Sequence, residues 1–142
     1  HVEQCIGGLI DDTLDVICSG HSPRAHEKKI HELDRAPFGI NALETMLGLI
    51  GRYLVEPGHL TWLKVIEKTS WQPAKVLWLH SKGSLRVGAD ADVTLIDPST
   101  KWIVDPTQFR SKSRNTPLAG EELISRAEMV IVGGETKFTR HG

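Results

Sequence analysis

Apolar residues recur at helical spacing through the opening of the chain, at Val2, Cys5, Ile6 and Leu9, until Asp11 and Asp12 break the stripe. Residues 15–18, Asp15 to Cys18, are mostly apolar and predict a short buried strand, because a parallel strand covered on both faces needs no polar alternation. Residues 19–40 then lose all sustained periodicity. That stretch, rich in His, Pro, Arg, Lys and Gly, predicts a long loop at the C-terminal end of the strand, where parallel α/β architectures gather their active sites.

The next pattern is helical again. Asn41 offers an N-cap oxygen with Glu44 three residues on, and Leu43, Met46, Leu47, Ile50 and Leu54 form one apolar stripe. Pro57 and Gly58 end that helix. Leu60, Leu63 and Ile66 predict a second helix reaching about Thr69, and Pro73 opens a third over residues 73–79. After Gly83 the texture changes to short apolar stretches at 92–96, 101–104 and 129–132, which predict strands. Gly133 and Gly134 mark a two-residue hairpin turn, since glycine tolerates the positive φ that such turns require. The expectation is an α/β segment over residues 1–82 followed by a small β unit over residues 83–142.

Composition narrows the function classes. Hydrophobic residues at 39% and charged residues at 25% exclude a disordered or fibrous chain. A net charge of -1 lacks the basic excess that binding to a phosphate backbone requires, so nucleic acid is not an expected partner. No apolar run approaches the roughly 20 residues of a membrane span. The chain opens on His1 without a basic and then apolar leader, and further chain is expected to precede it. Cys5 and Cys18, in apolar surroundings, are expected to be buried reduced thiols.

Candidate chemistry concentrates just past the predicted strand. His21, His26 and His31 recur at spacings of five, which matches neither a helical metal face nor a strand period, so they are expected in a solvent-facing loop. Arg24 can bind an anion through its planar fork of donors or pair with Glu27 or Glu32 at the surface. Lys28 and Lys29 have no adjoining glycine-rich cradle and are expected to be solvated. Trp62, Trp71, Trp78 and Trp102 are expected to pack.

Four stretches, in order along the chain, resemble the dihydroorotase family. They are Ala36, Pro37, Phe38, Gly39 and Ile40 leading to Leu43, Glu44 and Thr45; residues 82–97 with Gly88, Ala89, Asp90, Ala91 and Asp92; Ser111, Lys112, Ser113, Arg114, Asn115, Thr116 and Pro117; and Val132, Gly133 and Gly134. The 88–92 element alone is similar to the whole amidohydrolase superfamily. The 111–117 stretch favours dihydroorotase over allantoinase or hydantoinase.

The resemblance implies the C-terminal part of a (β/α)₈ barrel, with its last strand and helices, followed by the small β unit of the amidohydrolase composite domain. It implies a cytoplasmic, zinc-dependent hydrolase of cyclic amides that interconverts N-carbamoyl-L-aspartate and L-dihydroorotate in pyrimidine biosynthesis. The zinc ligands are expected on earlier strands, with none in this stretch, which alone is expected to be inactive. A small-molecule substrate, a homo-oligomer or aspartate transcarbamoylase are the implied partners. In the family the last strand ends in aspartate, histidine, alanine, proline and histidine, and the aspartate touches the metal and moves the proton. Here Gly20, His21, Ser22, Pro23 and Arg24 stand in those places. No catalytic residue is therefore retained. Arg24 can bind the substrate carboxylate, and Pro37, Phe38 and Gly39 can hold the substrate ring. The alternative implied by Gly20 is a non-catalytic homologue that serves as a scaffold for aspartate transcarbamoylase.

Overall fold

The computed structural model describes residues 1–32 and 34–140. Helix α1 (Val2–Ile10) forms as its spacing predicts. The expected buried strand at 15–18 does not form. Those residues run extended and largely exposed, held by one hydrogen bond from the Ile17 amide to the Lys68 carbonyl at 3.0 Å. A strand needs a neighbouring ladder, and none of the described residues supplies one. Cys18 on this segment and Cys5 on α1 are exposed and unbridged, which corrects the expectation that both are buried.

The loop 19–40 contains one short turn of helix, α2 (His26–Lys29). Helix α3 (Met46–Ile50) starts later than the Asn41 cap predicts and continues through a π-helical turn, Gly51–Val55. Thr45, fully buried, stands at the N-cap position instead. Tertiary partners have claimed Asn41 and Glu44, as set out below. Helix α4 (Trp62–Ile66), a second π-helical turn (Glu67–Trp71) and α5 (Gln72–Val76) then run without interruption. Thr61 caps α4, its hydroxyl accepting from the Lys64 amide. The inward face differs from the predicted stripe. Leu63 is 78% exposed, and Val65 and Lys68 are buried in its place.

Three strands form one antiparallel sheet in the order β1 (Val93–Ile103), β2 (Glu122–Val132), β3 (Glu135–Thr139). The two short strands expected at 92–96 and 101–104 are one long strand. An irregularity between Asp97 and Lys101 separates the stretches, where the Asp97 carboxylate accepts from the amides and hydroxyls of Ser99 and Thr100. These bonds hold the Asp97 carboxyl far below its ordinary pKa. The β2–β3 hairpin turns at Gly133 and Gly134, both at positive φ, as the sequence predicts. The described strands are thus all antiparallel and follow the helices rather than alternating with them.

Two apolar cores result. Ile50, Leu60 and Val65 gather Leu9, Ile17 and Met46, while Val104, Phe109 and Leu123 gather Leu49, Trp102 and Leu118. Helix and sheet meet closely where α3 crosses β2. A Cβ on Gly48 would lie 2.8 Å from Leu123 Cβ, and one on Gly51 would lie 2.5 Å from Ser125 Oγ and collide with the Ile124 carbonyl. The Ser125 hydroxyl donates to the Leu47 carbonyl at 2.9 Å across this contact. Of the tryptophans, Trp62 and Trp102 pack against these cores, but Trp71 and Trp78 are exposed, contrary to the packing role expected of all four.

Candidate functional site

Two stretches far apart in sequence, 20–45 and 110–117, are stitched into one surface. The Asn41 amide donates to the Asn115 carbonyl at 2.8 Å, and the Asn41 side-chain amide donates to the Ser113 carbonyl. The Asn115 side chain returns a bond to the Gly39 carbonyl at 3.0 Å. Glu44, expected to close a capping box, instead accepts from the Arg110 and Ser111 amides at 2.9 and 3.1 Å. Asn41 is buried, its two N–H groups bonded to 113 and 115 in place of water, while its side-chain oxygen has no partner among the described residues.

Each residue singled out in the loop has a place in this surface. Gly20 has φ +59, and a Cβ there would meet nothing within 4 Å. His21 turns inward, its Nδ1 accepting from the Ala42 and Leu43 amides at 3.2 Å, so this imidazole organises the start of the 42–45 turn. The Ser22 amide donates to the Ile40 carbonyl at 3.0 Å. Gly39, at φ +122, lies so close that a Cβ would sit 2.7 Å from Ser22 Oγ and collide with the Ser22 carbonyl.

Arg24 appears in no ion pair with Glu27 or Glu32 among the described residues. Its Nε donates to the Phe38 carbonyl at 3.1 Å. Lys29 is likewise tied down rather than freely solvated, donating to the Pro37 carbonyl at 2.8 Å. The carbonyls of Pro37, Phe38 and Gly39 therefore all face protein donors. The Phe38 and Gly39 N–H groups are left without a partner among the described residues. The Phe38 ring, 95% exposed, packs on nothing substantial. His26 and His31 are exposed, as expected of loop residues.

The surface is basic. Arg24, His26, Lys29, Lys112 and Arg114 border a hollow of about 440 Å³, together with Ser113, Asn115 and Thr116. Arg114 donates to the Ser111 carbonyl at 2.6 Å and to the Phe109 carbonyl. Lys112 and Arg114 were visible in the sequence only as part of a family-like stretch. Nothing in their spacing from Arg24 and Lys29 announced that they would share a surface.

The 88–92 element has a structural explanation. Lys82 bridges Asp90 and Asp92 at 2.9 and 2.5 Å, and Asp92 also accepts from the Gly133 amide at 2.8 Å, which pins the β2–β3 turn to the start of β1. Hydrogen bonding from Lys82 lowers both carboxyl pKa values, and the two carboxylates raise that of the ammonium. As for metals, no three or more His, Cys, Asp or Glu side chains converge among the described residues, so these residues alone do not fit a zinc centre. No helix is long and apolar enough to cross a membrane among them.

A loop-borne surface at one end of a helical segment is followed by a hairpin sheet, and comparison with known proteins gives the family. Residues 15–137 match the amidohydrolase family, and the chain belongs to it. It is 48% identical over 127 residues to a dihydroorotase of Pelotomaculum thermopropionicum, covering 89% of this chain and 30% of that relative. It is 44% identical over 131 residues to a dihydroorotase of Syntrophus aciditrophicus, covering 92% of this chain and 30% of that relative. Among solved structures it is similar to an L-hydantoinase (dihydropyrimidinase) of Arthrobacter aurescens, with a TM-score of 0.87 at 28% identity, covering 94% of this chain and 31% of the other. The chain thus spans about 30% of the length of the relatives it matches.

Proposed function

We propose that this chain is the C-terminal part of a dihydroorotase-like enzyme that interconverts N-carbamoyl-L-aspartate and L-dihydroorotate, supplying the last helices, the small β unit and, in residues 15–18, the segment that pairs as the last barrel strand once the earlier strands flank it. Residues 1–82 belong to the barrel in this reading and residues 83–142 to the composite domain. The observation that carries it is the lacing of loop 20–45 to residues 110–117 through Asn41, Glu44 and Asn115, because it unites the two dihydroorotase-like stretches in one surface. Arg24 holds a substrate carboxylate through the guanidinium nitrogens that its bond to Phe38 leaves over. The unpartnered N–H groups of Phe38 and Gly39 donate to ring oxygens of the substrate, and Pro37 helps to fix the turn that presents them. Zinc ligands lie outside these residues.

Gly20 bears on rate rather than on recognition. Glycine has no titratable atom, so the proton transfer that an aspartate would perform has no agent at this position, and such general acid/base steps are worth about 10² to 10⁴ in rate. The same residue supports a second reading, a non-catalytic homologue that acts as a scaffold for aspartate transcarbamoylase. Its φ of +59 lies in the left-handed region, which aspartate tolerates better than most residues, and the space around it is open.

The test is dihydroorotate turnover by the longest form of the protein, zinc-loaded, before and after Gly20→Asp, beside allantoin and hydantoin. Measurable dihydroorotate turnover that Gly20→Asp raises by about a hundredfold supports the enzyme reading. Background rates in both forms, with retained binding to aspartate transcarbamoylase, support the scaffold. Preference for allantoin or a hydantoin would overturn the substrate assignment.

A further inference from the structure

The chain as a whole carries a net charge of -1, yet the hollow between loop 20–45 and residues 110–117 is bordered by four permanently cationic side chains and no carboxylate. Many of the cations elsewhere are paired, although among the described residues Lys75 and Arg86, for example, are not. Lys64, Lys68, Lys82, Lys101 and Lys137 each form an ion pair with an Asp or Glu. Among the described residues Arg24, Lys29, Lys112 and Arg114 form none. Like charges gathered at one place cost free energy unless an anion compensates them, and a concave, positive site concentrates anions from solution.

The site is also pre-shaped. Lys29 is fixed by the Pro37 carbonyl and Arg114 by the Ser111 and Phe109 carbonyls, and each keeps further N–H donors. The Ser113 and Thr116 hydroxyls accept from the Asn115 and Leu118 amides at 3.4 and 3.3 Å, which leaves their own protons to donate. Lys112 donates to no protein group among the described residues and borders the hollow with its three donors.

We propose that this hollow binds a phosphorylated small molecule through Lys29, Lys112 and Arg114, with Ser113 and Thr116 donating to the phosphoryl oxygens. A phosphomonoester brings about two negative charges and three strong acceptor oxygens, which match several fixed cations and two hydroxyls. A single carboxylate would leave most of that positive charge uncompensated. The volume of about 440 Å³ is that of a small-molecule pocket and exceeds what one inorganic ion fills, so room remains for the group esterified to the phosphate. Arg24, His26, Lys112 and Ser113 also line a neighbouring hollow that Glu27 borders, and Arg24 is the residue proposed above for a substrate carboxylate. The phosphate site does not depend on that reading.

The test is direct binding, without turnover, so that it stands or falls apart from the dihydroorotate assignment. Pyrophosphate, phenyl phosphate and succinate are titrated into the protein while the amide resonances of Ser113 and Thr116 are followed. Saturable shifts with both phosphates are expected, weakened about tenfold by Lys112→Gln, restored by Lys112→Arg and changed less than twofold by Lys28→Gln. Lys112 holds no protein group among the described residues, so its variants are expected to keep the fold, and unchanged circular dichroism verifies it. Absence of saturation, equal weakening by Lys28→Gln and Lys112→Gln, or succinate binding as tightly as pyrophosphate would each overturn the proposal.

Discussion

Gly39 and Gly20 show how differently two glycines in one loop can be constrained. At Gly39 both the φ of +122 and the approach to Ser22 exclude a side chain, whereas Gly20 has open space and only its φ argues for glycine. Gly39→Ala is therefore expected to destabilise the fold by about 2 kcal/mol or more, read as a lower midpoint in urea, because strain in a forbidden φ adds to a collision with backbone. A midpoint within error of the parent would show that the loop relaxes freely. The sequence drew attention to Gly20 through what it lacks. It could not rank the two positions, since φ and the Ser22 contact come from the turn that the loop makes in space.

At the scale of elements, the helix starting near 41 illustrates local signals overruled by tertiary ones. Asn41 and Glu44 carry the spacing of a capping box, but the Asn41 amide groups and the Glu44 carboxylate are taken by residues 110–115, the Asn41 side-chain oxygen is buried without a partner among the described residues, and the helix begins at Met46. A charged acceptor satisfying two otherwise unpaired main-chain N–H groups across the molecule outweighs a cap that exposed water could partly replace. Glu44→Ala is expected to leave helix content unchanged and to speed amide exchange at Arg110 and Ser111 by roughly tenfold, the loss of about one to two hydrogen bonds. Loss of helix signal instead would mean that Glu44 caps the helix after all. The π-helical turns at Gly51–Val55 and Glu67–Trp71 left no trace in the apolar spacing, and Leu60 lies before the Thr61 cap, so the helix need not bury Leu63 on the same face.

Across the whole molecule, ions join the segment after α1 to the helices alongside the Ile17 hydrogen bond and its core packing. Lys68, 1% exposed, donates to Asp12 at 2.8 Å and to the Leu14 carbonyl at 2.6 Å, and Lys64 reaches the same carboxylate at 2.8 Å. Hydrogen bonds from Lys64 and then Lys68 lower the Asp12 pKa. A lowered carboxyl pKa stabilises the fold at any pH above its ordinary value of 3.8, and that contribution disappears as pH falls through the lowered value. The melting temperature of the parent is thus expected to fall below about pH 4, and Asp12→Asn is expected to melt lower at neutral pH with a shallower acid limb. Parallel acid limbs for the two proteins would show that the bridge contributes nothing. The raised pKa of Lys64, caused first by Asp12, works oppositely: its contribution holds below the ordinary value of 10.5 and is lost only as pH rises past the raised one.

By itself the sequence determined what depends on near neighbours: α1, the turn at Pro57 and Gly58, the hairpin at Gly133 and Gly134, the family-like stretches and the missing carboxylate at position 20. Periodicity and φ preference act over a few residues, so they are legible in a string of letters. Tertiary structure alone decided the start of α3, the exposure of Cys5, Cys18, Trp71 and Trp78, the unpaired 15–18 segment and the union of Arg24 and Lys29 with Lys112 and Arg114. Each of these turns on which distant group satisfies a given donor, acceptor or apolar face, and hydrogen bonds spanning some 70 residues leave no local pattern to read.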